Sequence, residues 1–311
     1  MTPTKLQFRE VTTGLKFPEG PIAMPDGSVL VVEIEGARLI RVAPDGTKSV
    51  AAELGGGPNG AAVGPDGKCY VCNNGGFNWI HADDGHARPH GRADNYTGGS
   101  IQRVDLATGA VEALYTHCDG EPLKGPNDII FDGKGGFWFT DHGKTYDRLM
   151  DRGALFYARI DGSYIKEAAF PLITPNGVGL SPDGNTLYVS ETETGRLWSY
   201  PILGPGELAK EPWPSPNGGR FVGGPTGYQR FDSMAVEVNG NICVASLVHG
   251  GISVFSPDGG LLEFHEAPEG YCTNICFGGP DMRTAFITLS GYGRLVAVDW
   301  ARPGLRLVHQ G

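Results

Sequence analysis

The sequence predicts an all-β protein, a six-bladed β-propeller with four antiparallel strands per blade, and three observations carry that prediction. A turn phrase followed by four or five β-formers recurs six times, as PDGSVLVVE (25–33), PDGKCYVCN (65–73), KGGFWFTD (134–141), PDGNTLYVS (182–190), NGNICVAS (239–246) and PDMRTAFIT (280–288). Seven residues before each turn residue stands an acid or an amide, namely Glu19, Asn59, Asn127, Asn176, Asp232 and Asn274, each at the head of a short strand. The 49 glycines and 23 prolines fall between apolar runs rather than in clusters, as tight turns between strands require.

Each unit then continues into a hairpin. RLIRVAPDGTKSVAA, SIQRVDLATGAVEALY, ALFYARIDGSYIKEAA, RLWSYPILGPGELAK, GISVFSPDGGLLEFHE and RLVAVDWARPGLRLVHQ supply the third and fourth strands of blades one to six. Residues 5–12 (KLQFREVT) read as a further strand that closes the ring against the last blade. The repeat leaves no room for a second domain, so 1–311 is expected to be one propeller. The step from Asn59 to Asn127 is longer than the others, and its excess lies in 74–98. A loop of that length in a compact domain is expected to be a lid or binding loop, and Phe77, Trp79 and Tyr96 favour a packed lid.

Composition excludes several function classes. A net charge of -10 and a pI near 5.3 leave little to neutralise phosphates, so no nucleic-acid partner is expected. No apolar run reaches the roughly 18 residues of a membrane span, and the N-terminal MTPTKLQFRE lacks a basic segment followed by an apolar one. A cytoplasmic protein with reduced cysteines is the expectation. Cys69 and Cys72 form a CxxC, but in a strand these positions face opposite ways, and no second pair accompanies them.

In a propeller the innermost strand of each blade lines the central channel. Six acids and amides at one register would form a ring of hard oxygen donors, which suits Ca2+ first and Mg2+ or Mn2+ next, while an oxygen-rich ring also accepts Zn2+. Asn and Asp before Gly are also turn residues, so each position carries a turn reading beside its ligand reading. Glu19 in PEGP and Asp232 in RFDSMAV are the least turn-like.

On FPEGP (17–21), GPND (125–128), TPNGVGLSPDGNTLYVSET (174–192) and FDSMAVEVNGNICVA (231–245), the chain resembles the SMP-30/gluconolactonase/luciferin-regenerating-enzyme-like family over essentially its full length. The resemblance implies one divalent cation held by Glu19, Asn176 and Asp232, with Asp232 also the general base and Asn127 contacting substrate at or near the metal. It implies a lactone substrate opened to a hydroxy acid. Two positions depart from the sugar-lactone pattern: Gly125 stands where such members carry Arg, and Thr145 where they carry a substrate-binding Glu.

Beyond the ring, Asn59 and Asn274 are expected to orient the ligands. His142 and Tyr146, in FTDHGKTYD, are candidate substrate contacts, with a proton shuttle or a plain loop histidine as the other readings of His142. Trp79 or His81 could reach substrate from the lid. His81, His86 and His90 have no regular metal-ligand spacing. Two rivals stand beside a lactonase: an ester or phosphotriester hydrolase on the same metal propeller, and a non-catalytic binding propeller, which needs no carboxylate in its channel.

Overall fold

The computed structural model describes residues 6–309, and every regular element among them is a strand. Six antiparallel sheets form the six blades, each running from an innermost strand outward. The innermost strands are Pro18–Ala23, Pro58–Val63, Pro126–Phe131, Pro175–Leu180, Arg230–Val236 and Cys272–Gly278.

Strand periodicity explains the packing. In Val29–Glu33, Val29 and Val31 join a cluster with Leu295 of blade six, whereas Leu30 and Val32 join Cys69 and Val71 of blade two. Both faces of such a strand are buried, so it reads as a continuous apolar run rather than an alternating one. The same arrangement repeats around the ring, with one buried cluster for each pair of neighbouring blades. The core is therefore six wedges. Cys69 and Cys72 fall in different wedges, as the strand period demands. All six cysteines are free and buried, and burial pushes the Cys69 thiol up to about 12.

Three sequence expectations are refined. The ring-closing strand spans Arg9–Thr12 and pairs with Arg294–Asp299, while residue 5 lies outside the described residues. That strand, not RLVHQ, is the fourth strand of blade six. The segment after Asp299 leaves the sheet because buried Glu237 captures it: Trp300 Nε1 donates to Oε1 at 2.7 Å and Arg302 Nε to Oε2 at 2.6 Å. Leu305 N then donates to Val236 O at 2.7 Å, which carries the chain beneath the channel. In blade four, Arg220–Gly223 pairs with the first part of Arg196–Gly204, and the expected partner survives only as Glu207–Leu208. The excess in blade two is a hairpin of Phe77–His81 and Ala87–Arg92, inserted between the second and third strands.

Candidate active site and metal centre

All six ring positions lie on innermost strands and are buried, from 2% exposed at Glu19 to 9% at Asp232. In every blade the ladder to the second strand breaks register at or beside the ring residue. A break of this kind bends the strand and re-aims the side chain. Hydroxyls of the second strands secure the broken backbone and link blades. Ser190 Oγ accepts from Gly177 N at 2.8 Å and donates to Asp232 O in the next blade at 2.6 Å. Thr140 Oγ1 accepts from Asp128 N at 3.1 Å and donates to Asn176 O at 2.5 Å.

The glycine that follows several ring residues is a packing device, not a turn. A Cβ on Gly20 would stand 2.6 Å from Asn59 O, and one on Gly177 would stand 2.9 Å from the Ser233 backbone. Adjacent blades approach so closely that only hydrogen fits. At the equivalent place in blade three the chain has Asp128, which fits because its neighbour is Gly60.

Glu19, Asn59, Asn127, Asn176 and Asp232 line one cavity of about 290 Å³, together with His142. That is the small end of the range for small-molecule sites. Asn274 lies below, and its Nδ2 donates to Glu19 Oε2 at 2.7 Å. Asn176 Nδ2 donates to Thr192 Oγ1 at 3.0 Å, which leaves its Oδ1 facing Ser233 Oγ at 3.4 Å. Asp128, not anticipated as a site residue, is the third buried carboxyl of the group; its only signal in the sequence is its place after Asn127 in GPND.

Electrostatics set this group apart. Burial, and then the negative charge of Glu19, hold Asp232 well above the usual carboxylate range. Asp128 is pushed up to about 7 by the same two causes, burial first. Burial also raises Glu19, against hydrogen bonds from Asn274 and Gly20 N that lower it. No lysine or arginine bonds to any of the three among the described residues. Asn127 Oδ1 is buried and has no hydrogen-bond partner. Buried carboxyls without a cation are costly, and a divalent cation beside them would favour their ionised forms. The donor set fits such an ion through amide oxygens as much as carboxylates. Among the described residues no three His, Cys, Asp or Glu side chains cluster into a metal site by themselves.

The lid hairpin is fastened on three sides. Phe17, Ile34 and Ala87 form a cluster with Phe77, Trp79 and Tyr271 over the mouth. Ala87 N donates to Gly291 O at 2.8 Å, and His81 Nε2 meets Glu35 Oε1 at 2.8 Å. On the third side Lys144, 1% exposed, donates to Asn74 Oδ1 at 3.1 Å and Gly76 O at 2.9 Å, with its ammonium 4.1 Å from the Phe77 ring centre. Burial lowers Lys144 to about 7. Nothing in the sequence marked this lysine, since its partners lie some seventy residues away.

Other candidates fall differently. Trp79 packs behind Phe17 at a ring separation of 5.0 Å and lines an outer cavity, so Phe77 and Tyr271 face the funnel instead. Tyr146 is outside the funnel wall: its hydroxyl donates to Asp151 Oδ2 at 3.1 Å and Arg92 covers its ring. His142 is on the wall, and burial, with the charge of Lys144, lowers it to about 4. His86 stacks edge-on against Tyr271 and Tyr292, so the lid histidines go to separate partners. Gly125 N donates to Asp141 Oδ1 at 2.7 Å, and a Cβ there would stand 2.6 Å from Gly143 O, so this backbone excludes an arginine.

Residues 17–291 match the model of the SMP-30/gluconolactonase/LRE-like region. A gluconolactonase of Zymomonas mobilis is 26% identical over 90% of this chain and 78% of its own length. Diisopropyl-fluorophosphatase of Loligo vulgaris is 31% identical over 60% of each chain. Among solved structures, regucalcin of Agrobacterium tumefaciens, a calcium-binding protein, superimposes with a TM-score of 0.73 at 20% identity, over 97% of this chain and 98% of its own.

Proposed function

The chain belongs to the SMP-30/gluconolactonase/LRE-like family, and from that premise we propose that it is a lactonase that opens a small lactone to its hydroxy acid with one divalent cation in the funnel. The observation that carries the reading is the trio Glu19, Asp128 and Asp232, buried with no lysine or arginine bonded to them among the described residues and beside the orphaned Asn127 Oδ1. Glu19, Asn176 and Asp232 would hold the ion, and Asn127 would contact it or the substrate. Ca2+ is the first choice, supported by the calcium-binding regucalcin neighbour, with Mn2+, Mg2+ and Zn2+ as the alternatives. When bound, the cation supplies electrophilic polarisation of the ester carbonyl.

Asp232 is the base in this reading. It takes a proton from water as the water oxygen bonds to the carbonyl carbon. The ring C–O bond then breaks, its electron pair leaves on the ring oxygen, and the proton passes from Asp232 to that oxygen. Water and lactone thus give the hydroxy acid with no further reactant. His142, lowered to about 4, is neutral near pH 7 and serves as a hydrogen-bonding contact rather than a proton shuttle. Asn59 and Asn274 orient the ligands, and the lid hairpin limits water at the mouth.

Similarity to diisopropyl-fluorophosphatase favours a second reading, a phosphotriester hydrolase on the same funnel. Proton release from sugar, aliphatic and aromatic lactones and from a phosphotriester decides between them, using protein stripped by chelator and reloaded with each cation. Lactone turnover that is lost on stripping, restored by a cation and abolished in Glu19→Gln and Asp232→Asn establishes the lactonase. Turnover of the phosphotriester alone establishes the second reading.

A further inference from the structure

Among the described residues, one guanidinium on the funnel wall has no side-chain hydrogen bond or ion pair. Arg88, on the second strand of the lid hairpin, and Arg230, two residues before Asp232, both line the cavity. Arg230 is engaged: its Nη2 lies 3.0 Å from Glu193 Oε2 and its Nε donates to Tyr228 Oη at 3.1 Å. Arg88 is exposed on the cavity wall and makes no side-chain hydrogen bond or ion pair among the described residues. Both share the cavity wall with Tyr271, whose phenol burial raises and the two guanidinium charges lower.

The rest of the wall explains what such a cation is for. Phe17, Ile34, Phe77, Leu247 and Tyr271 give the wall an apolar side alongside its polar groups. Gly125 and Thr145 remove the polar contacts that the sugar-lactone pattern would bring. A protein of net charge -10 repels anions at a distance, so an anion reaches this funnel only against a local positive patch that holds it. A guanidinium matches a carboxylate in two parallel hydrogen bonds, and at the edge of an apolar wall such a pair is strengthened by partial desolvation.

We propose that Arg88 is a specificity-determining residue that reads a carboxylate on the substrate, so that the lactone class taken by this funnel is anionic, with its acid at the rim beside Arg88 and its ester beside Asp232. The inference rests on the lactonase reading and narrows it to compact lactones that carry one acid group.

The test compares γ-carboxy-γ-butyrolactone with its neutral carboxamide on the cation-loaded protein. The wild type is expected to favour the acid by about tenfold or more in kcat/KM, chiefly through KM, with a preference that shrinks as salt rises. Arg88→Gln is expected to bring the ratio close to one, and Arg88→Lys to restore part of it. Calorimetric binding of the ring-opened product, 2-hydroxyglutarate, gives a readout that needs no turnover, and Arg88→Gln is expected to weaken it about tenfold. Equal use of acid and amide by the wild type, or a ratio unchanged in Arg88→Gln, overturns the anionic class while the lactonase stands. Absence of turnover on every lactone, with product binding still dependent on Arg88, overturns the lactonase while the carboxylate contact stands.

Discussion

Asn274 Nδ2 and Glu19 Oε2 meet at 2.7 Å across the seam between the last blade and the first. The bond joins the most distant pair of ring residues in the chain and fixes the carboxylate expected to hold the cation. Asn274→Ala leaves that oxygen with the Gly20 N–H at 2.9 Å as its main donor. Loss of a ligand-orienting bond of this kind costs roughly 10–100-fold in metal affinity. Calorimetric titration of stripped protein with Ca2+ is the check, and unchanged affinity would show that Glu19 is held by its strand alone.

Asp128 separates the stability of the cation-free protein from that of the loaded one. Asp128→Asn removes one of three mutually repelling buried carboxyls. In chelator the variant is expected to melt about 2–4 °C higher than wild type. In saturating Ca2+ the order reverses, because the charge that opposes folding also attracts the ion. Scanning calorimetry under both conditions reads the crossing directly.

Lys144 should make stability rise with pH above neutrality. Its pKa is about 7 in the folded chain against 10.5 for the free side chain. Between those values the unfolded chain binds the proton and the folded one releases it, so raising pH favours folding by up to about 1.4 kcal/mol per unit. Below pH 7 both states are protonated and the slope vanishes. Urea unfolding of wild type and Lys144→Met from pH 6 to 9 isolates the effect: the difference between them grows in favour of wild type only above pH 7. A difference that stays flat would mean that the two acceptors and the Phe77 face keep the ammonium charged.

Gly60→Ala tests the close approach of blades two and three. The added carbon would stand 2.6 Å from Asp128 Cα and overlap Asn127 O. Backbone on both sides cannot yield cheaply, so a loss of about 2 kcal/mol or more is expected, with weaker cation binding as Asn127 shifts. Chemical denaturation and Ca2+ titration measure the two effects separately.

Much of this molecule is legible in its sequence. The six-fold phrase gave the blades because every blade repeats the same four-strand problem, and the fixed spacing from turn to ring residue follows from a strand that must reach the channel at one depth. That spacing marks all six ring residues, from Glu19 to Asn274, and the resemblance singles out Glu19, Asn176 and Asp232 among them as ligands. Asp128 was not found, because the position after a ring residue varies from blade to blade, and an acid there signals nothing by itself. Arg88 and Lys144 were missed for another reason. Their surroundings are set by a hairpin that folds back over blades one, three and six, and no local pattern encodes such contacts. Trp79 and Tyr146 were expected at the substrate because aromatics beside a site often are. Phe17 and Arg92 claim their faces instead.

The pairing of Arg9–Thr12 with Arg294–Asp299 has a kinetic consequence. The strand at Arg9–Thr12 has no partner until the chain has been made as far as Arg294–Asp299. Contacts of such sequence separation close late and slowly, because the loop entropy must be met before the sheet rewards it. Five blades can therefore assemble while the sixth still lacks its outer strand and leaves Arg294–Asp299 unpaired on one side. Completion of the circle ties the first described strand to the last and closes the seam that the Asn274–Glu19 bond crosses.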